Sequence, residues 1–229
     1  MSLLRDFISL FFPRLCAACD AALLSHEEVL CTLCWHQLPL TGFHKLDDNA
    51  VSRIFWGRVN ITHAAAFCYF QKGGKVQHLI HLMKYKGRKE IGEYLGKIYG
   101  KQLRDVELYR DVDVIVPVPL HRRKQRKRGF NQSEYIARGL SVSMKLPIDT
   151  KSLVRVTHSE SQTRKSRLKR WENVKEIFVV KEVKTLQNKH VLLVDDVLTT
   201  GATIEACSRE LLKIQGVSVS VVALASPVR

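Results

Sequence analysis

Between residues 64 and 226, short unbroken apolar runs alternate with stretches whose apolar positions recur every three to four residues. The unbroken runs predict strands over 64–70 (AAAFCYF), 112–118 (VDVIVPV), 175–180 (KEIFVV), 190–196 (HVLLVDD) and 217–226. The periodic stretches predict helices over 76–85, where Val76, Leu79, Ile80 and Met83 share a face, and over 90–103, 131–144 and 202–215. Asn131 stands at an N-cap position with Glu134 where a capping box would close, and Gly216 ends the last helix. Runs that are apolar throughout suit strands buried on both faces. Alternating with helices, they predict an α/β fold: a mostly parallel sheet flanked by helices. Residues 1–60 lack this rhythm, and TGFHKLDDNAV (41–51) reads as a loop or linker. Leu3, Leu4, Phe7, Ile8 and Phe11 mark one face of a short amphipathic helix ended by Pro13. The predicted division is a small module over 1–60 and a main domain over 61–229. Ligands of such sheets bind beyond the carboxyl ends of the strands, and the segments starting at Pro119 and Asp195 both stand there.

Composition narrows the class. The chain of 229 residues is 45% hydrophobic and 26% charged, as expected for a soluble globular protein. No apolar run approaches the roughly 20 residues that span a bilayer. Arg5 and Asp6 interrupt the N-terminal apolar stretch, so it is read as packing on the protein rather than as an export signal. The expected location is the cytoplasm, with peripheral contact at the inner face of the membrane as the lesser reading of that helix. The net charge of +15 is concentrated. HRRKQRKR (121–128) has six cations and no acid, and RVTHSESQTRKSRLKR (155–170) has six against one. Such density points to a polyanion, either the phosphates of a small ligand or a nucleic-acid backbone.

The cysteines form a second pattern. Cys16 and Cys19 (CAAC) and Cys31 and Cys34 (CTLC) are two CxxC pairs, while Cys68 and Cys207 stand alone. Each pair presents two thiolates on one tight turn, and two pairs complete a tetrahedral zinc site. Four thiolates leave no open coordination position, so this zinc would be structural. Disulfides compete with that reading and fit a cytoplasmic chain less well; redox chemistry would need only one CxxC. His26 and His36 are not needed as ligands and are expected at the surface, and Cys207 is expected as a small buried thiol.

The stretch VLLVDDVLTTGAT (191–203) ends a buried strand on Asp195 and Asp196 and continues into Thr199, Thr200, Gly201, Ala202 and Thr203. Gly201 permits a sharp turn, and amides at the start of the following helix, with the threonine hydroxyls, suit a phosphate monoester. The stretch contains no GxxxxGK[ST], so this is not a nucleoside-triphosphate loop. The two acids would accept hydrogen bonds from vicinal hydroxyls or face a Mg²⁺. A ribose 5-phosphate carries its phosphate and its diol in that order.

VLLVDDVLTTGAT closely resembles the 5-phosphoribosyl-1-pyrophosphate (PRPP) motif of type I phosphoribosyltransferases. Together with the four cysteines, HLIHLMKYKGRKEIGEYLG, VPVPLHRRKQRKRGFNQSEYIA and SESQTRKSRLKRWENVKEIF, the chain resembles the ComF family over residues 15 to 228. Members of that family pair a zinc finger with a phosphoribosyltransferase domain and are associated with competence for DNA uptake. The resemblance implies that Asp195 and Asp196 meet the ribose hydroxyls and Mg²⁺, and that Thr199 to Thr203 hold the 5-phosphate. It implies a pyrophosphate loop at Pro119 and Leu120, with Arg122, Arg123, Arg126 and Arg128 near it. It further implies a mobile loop over 157–173 bearing Gln162, Arg164 and Arg170. In active relatives, Mg²⁺-bound pyrophosphate leaves C1 through a transition state of oxocarbenium character, so electrostatics and water exclusion carry the catalysis.

Two main readings follow. One is a Mg²⁺-dependent, PRPP-binding phosphoribosyltransferase whose acceptor no residue identifies. The other is a single-stranded-DNA-binding competence factor in which the fold is structural or regulatory, with Phe130 and Trp171 beside the basic arms as stacking platforms. A membrane-anchored adaptor, resting on the N-terminal stripe alone, is the third. Other competence proteins would be partners in the second reading.

Overall fold

The computed structural model describes residues 12–121, 125, 126, 128–156 and 177–227. The expected helix over 3–11 and residues 175 and 176 of an expected strand lie outside them.

Val191, Leu192, Leu193 and Val194 are wholly buried, and they form the middle of the sheet. Four strands lie side by side in the order β1 (Ala64–Tyr69), β6 (Ser218–Ser226), β5 (His190–Val197), β2 (Val114–Pro117), every pair parallel. Successive residues face opposite sides. Phe67, Leu192, Val194, Val222 and Leu224 join one apolar cluster, while Ala66, Val191, Leu193 and Val221 join the other. Burying an aliphatic side chain of this size contributes about 1.5–3 kcal/mol, which is why both faces must be covered.

The first face is covered by α2 (Lys75–Tyr85), α3 (Lys89–Arg104) and α4 (Gln132–Met144). The second is covered by α6 (Ala202–Leu211) and the short α5 (Val183–Leu186). Helices α3 and α4 meet backbone to backbone. A Cβ at Gly139 would lie 2.1 Å from the Glu93 carbonyl oxygen, and one at Gly96 2.3 Å from that of Ile136. Only glycine permits this approach, and it fixes the N-terminus of α4 at the sheet's carboxyl edge, where Asn131 Nδ2 donates to the Val118 carbonyl at 3.0 Å.

The expected elements are present to within a few residues, with instructive differences. The last helix ends at Leu211 rather than 215. Residues 177–180 do not join the parallel sheet: β4 (Ile177–Val180) pairs antiparallel with β3 (Leu153–Val156), which the apolar pattern did not signal. Arg155 interrupts the apolar run of β3, and its guanidinium lies over the Phe178 ring at 5.2 Å. Asn131 does cap α4, accepting from the Ser133 amide, but Glu134 closes no capping box; it pairs with Arg138 at 2.8 Å.

Residues 41–51, expected as loop, carry the one-turn segment Phe43–Lys45, followed by another at Ser52–Phe55. The buried Asn49 side chain organises both, donating to the Leu46 and Ala64 carbonyls at 2.8 Å each and accepting from the Val51 amide at 2.8 Å. Upstream, the cysteine segment folds around α1 (Thr32–His36), and Cys16, Ala17, Val29, Leu30 and Leu38 belong to the same apolar cluster as Phe67. Among the described residues no helix is long and apolar enough to cross a membrane.

Candidate ligand-binding site

The chemistry gathers where β5 and β2 end. The Val118 amide donates to the Val194 carbonyl at 2.8 Å, tying the start of the 119–131 loop to the strand that carries the acids. Alternation along β5 gives Asp196 the same face as Leu192 and Val194, toward α2. There Lys84 Nζ meets Asp196 Oδ1 at 2.7 Å, with both side chains largely buried. Asp195 Oδ1 accepts from Ser133 Oγ, in the first turn of α4, at 3.1 Å and from the Asp196 amide at 2.8 Å.

The two acids therefore have different environments. Burial pushes the Asp195 carboxyl up to about 7, and the negative charge of Asp196 adds to the rise. The Asp196 amide, the Ser133 hydroxyl and Lys84 pull the other way without cancelling it. An adjacent acid pair can accept from a diol or take a hard cation through carboxylate oxygens.

Beyond the acids the chain turns through Leu198, Thr199 and Thr200 to Gly201, the αL residue (φ +76°) that caps α6. Thr199, Thr200 and Ala202 are exposed and Thr203 is half-buried. Together with Asp195 these residues line a small open cradle of ≈ 30 Å³ at the N-terminus of a ten-residue helix. Backbone amides and the positive end of the helix dipole favour an anion at such a place.

A neighbouring cleft of ≈ 180 Å³ is lined by Pro119, Leu120, Gln125, Asn131, Glu134 and Arg155, among others. Arg126 is exposed, whereas Arg128 is half-buried, donating to Gln132 Oε1 at 2.8 Å and lying 5.3 Å over the Tyr85 ring. The buried Gln132 keeps its Nε2 without a hydrogen-bond partner among the described residues. Arg122, Arg123, Gln162, Arg164, Arg170 and Trp171 lie outside the described residues. Phe130, expected as an exposed platform, is buried edge-on against Tyr135 at 5.3 Å, because it fills the space under the first turns of α4. Tyr85, not singled out by the sequence, is the exposed ring here.

Sequence reasoning also missed Lys84, Ser133 and Arg58. The last donates to the Thr200 carbonyl at 2.8 Å from 142 residues away in the chain. Lys84 lies in the last turn of α2, at the start of the basic stretch KYKGRK (84–89), whose cations gave no sign that one of them reaches an acid.

In the cysteine segment, the Sγ atoms of Cys16, Cys19, Cys31 and Cys34 all lie within 4.8 Å of one another, and no disulfide joins them. Cys19 and Cys31 are 3.8 Å apart, close to the separation tetrahedral geometry gives two thiolates bound at about 2.3 Å to zinc. Amides of Ala18 and Cys31 donate to Cys16 Sγ at 3.4 and 3.3 Å, and Lys75 Nζ to Cys34 Sγ at 3.4 Å, as suits sulfurs carrying negative charge. This cluster could hold a metal ion. His26 and His36 are exposed and take no part in it, and Cys207 is wholly buried.

Comparisons with known proteins agree with this layout. The family model described as "Phosphoribosyl transferase domain" matches residues 89–228. DNA utilization protein YhgH of Escherichia coli is 31% identical over 149 residues, covering 62% of this chain and 63% of that protein. Competence protein F of Haemophilus influenzae is 31% identical over 140 residues, covering 59% and 61%. The chain thus spans somewhat under two thirds of the length of these relatives. Among solved structures, a purine phosphoribosyltransferase from Pyrococcus horikoshii aligns with 20% identity over 58% of this chain and 72% of that one, at a TM-score of 0.39. With its parallel sheet, acid-ended central strand and four-cysteine segment, the chain belongs to the phosphoribosyl transferase domain family, as a ComF-type member.

Proposed function

We propose that this protein binds PRPP with Mg²⁺ and acts as a phosphoribosyltransferase. The observation that carries the reading is the juxtaposition, at one sheet edge, of a buried acid pair and a helix-capped cradle suited to a phosphate. In this reading the amides and hydroxyls of Thr199 to Thr203 take the 5-phosphate, and Asp195 and Asp196 accept from the ribose hydroxyls. Mg²⁺, whose oxygen-ligand preference fits the two carboxylates, would neutralise charge on the departing pyrophosphate. Pro119, Leu120, Arg122, Arg123, Arg126 and Arg128 would surround that pyrophosphate, with Gln162, Arg164 and Arg170 closing over the ligand. As pyrophosphate leaves C1, positive character develops on the ribose beside the acid pair, which stabilises it electrostatically. The four cysteines hold structural zinc, and the division falls near residue 60, with the main domain acting in the cytoplasm. A screen of amine and nucleobase acceptors tests the activity. Pyrophosphate release should require both PRPP and one acceptor and should vanish in Asp195→Asn. Release in neither condition, across a broad acceptor set, would leave a binding protein only.

A second reading has its own support: exposed Tyr85 stacked against Arg128, beside the basic segment 121–128, suits a base and its phosphate in single-stranded DNA. The names of the two relatives, DNA utilization protein and competence protein, point the same way, toward DNA and other competence proteins as partners. Affinity for a single-stranded oligonucleotide should then fall steeply with salt. It should drop about tenfold in Tyr85→Ala, and further when Arg122, Arg123 and Arg126 are neutralised. Binding indifferent to all three changes would rule the surface out.

A further inference from the structure

Gly201 is the hinge of the cradle, and the chain segment before β1 presses on it from behind. A Cβ at Gly201 would lie 2.8 Å from Ile54 Cγ2 and 3.0 Å from Phe55 Cε1, so the loop rests directly on the Ser52–Phe55 turn. Three residues on, Arg58 grips the same loop. Its Nη1 donates to the Thr200 carbonyl at 2.8 Å and to the Ile54 carbonyl at 3.1 Å. Its Nε donates to Glu205 Oε2 at 2.9 Å, and Nη2 reaches the same oxygen. Glu205, in the first turn of α6, is held in turn by Arg209 at 2.9 Å, and Arg209 Nη2 donates to the Arg58 carbonyl at 2.8 Å. The guanidinium is thus locked by carboxylate and carbonyls on three sides, in the fork geometry that arginine alone supplies.

The Thr200–Gly201 peptide is trans, and in a trans peptide the C=O and the following N–H point in opposite directions. Pinning the Thr200 oxygen toward Arg58 therefore aims the Gly201 N–H away from the 52–58 segment, into the cradle. No partner takes that N–H among the described residues. At φ +76° a glycine peptide unit has little steric resistance to flipping, so an external clamp matters here more than at an ordinary residue.

We infer that Arg58 is a positioning residue for phosphate recognition: by fixing the Thr200 carbonyl it orients the Gly201 amide as a donor to the ligand's phosphate. This makes the segment joining the cysteine module to the sheet part of the ligand site. The inference rests on the reading of residues 199–203 as a phosphate cradle, and its test separates the two. Ribose 5-phosphate and magnesium pyrophosphate are titrated separately into the full-length protein and into Arg58→Ala, with the Gly201 amide followed by NMR. Ribose 5-phosphate should bind about tenfold more weakly to the variant, the loss expected for a misdirected charge-assisted donor. Magnesium pyrophosphate should bind equally to both. The Gly201 amide proton should shift downfield with ribose 5-phosphate in the unaltered protein and stay in place in the variant. Equal ribose 5-phosphate affinity, or an equal loss for both ligands, would overturn the positioning role. If the unaltered protein binds ribose 5-phosphate nowhere, the cradle reading falls with it. Should Arg58→Ala not fold, Glu205→Gln, which loosens the clamp while leaving Arg58 in place, decides: weaker ribose 5-phosphate binding upholds the role and unchanged binding ends it.

Discussion

Asp195 and Asp196 differ by one position in the chain and by most of their chemistry in the fold. Asp196 has Lys84 against it, whereas Asp195 has a hydroxyl, an amide and a negative neighbour. The consequence can be read against pH. The Asp195 carboxyl titrates at about 7 in the folded chain, against about 3.9 when unfolded. Between those values the folded state holds a proton that the unfolded state releases, so this group lowers stability as pH rises through the window. Asp195→Asn should therefore gain stability relative to the unaltered protein between about pH 4 and pH 7, and keep that gain above it. Thermal melts across that range check the sign; a difference that does not change with pH would mean that Asp195 is an ordinary surface acid. Because the ionised carboxylate is the form that accepts from a diol or meets Mg²⁺, PRPP affinity should rise over the same interval and level off above it.

At the scale of elements, legibility followed periodicity. Strand β5 was readable because four consecutive branched residues have no other stable place than a sheet covered on both sides. The cysteine module was readable because two CxxC turns have few other uses. What escaped were relations that periodicity does not encode. Strand β3 carries Arg155 in its middle and becomes a strand only by pairing with β4 across the intervening segment 157–176. Lys84 reaches Asp196 from 112 residues away, and Arg58 reaches Glu205 from 147. Phe130 stands beside a basic run in sequence, yet packing under α4 buries it. The cysteine module makes its own prediction. Its sulfurs are close enough for one ion, and its neighbours Ala17, Leu30 and Leu38 share the core beneath α2 and α3. Elemental analysis should find about one zinc per chain, the four-thiolate stoichiometry. A strong chelator should lower the melting temperature by several degrees, since metal binding and folding are coupled. A metal-free protein with the same melting temperature would contradict the zinc assignment.

At the scale of the whole molecule, charge and topology converge. A net charge of +15 would be costly self-repulsion without an anionic partner, and much of it sits in two segments that follow strands β2 and β3. The parallel sheet delivers the acids, the cradle at the start of α6 and the residues Pro119 and Leu120 that lead into the first of these segments to its carboxyl edge, which is where such sheets bind ligands. Both proposed partners, PRPP and single-stranded DNA, are anions that this arrangement would attract; only one of them has a diol for the acids to meet. The most direct test is therefore a calorimetric titration with PRPP in the presence of Mg²⁺. Saturable binding near one ligand per chain is expected, weakened at least about tenfold in Asp195→Asn and in Asp196→Asn, as for loss of a charged hydrogen-bond acceptor. Absence of binding at millimolar PRPP, or binding by both variants as tight as by the unaltered protein, would contradict the account.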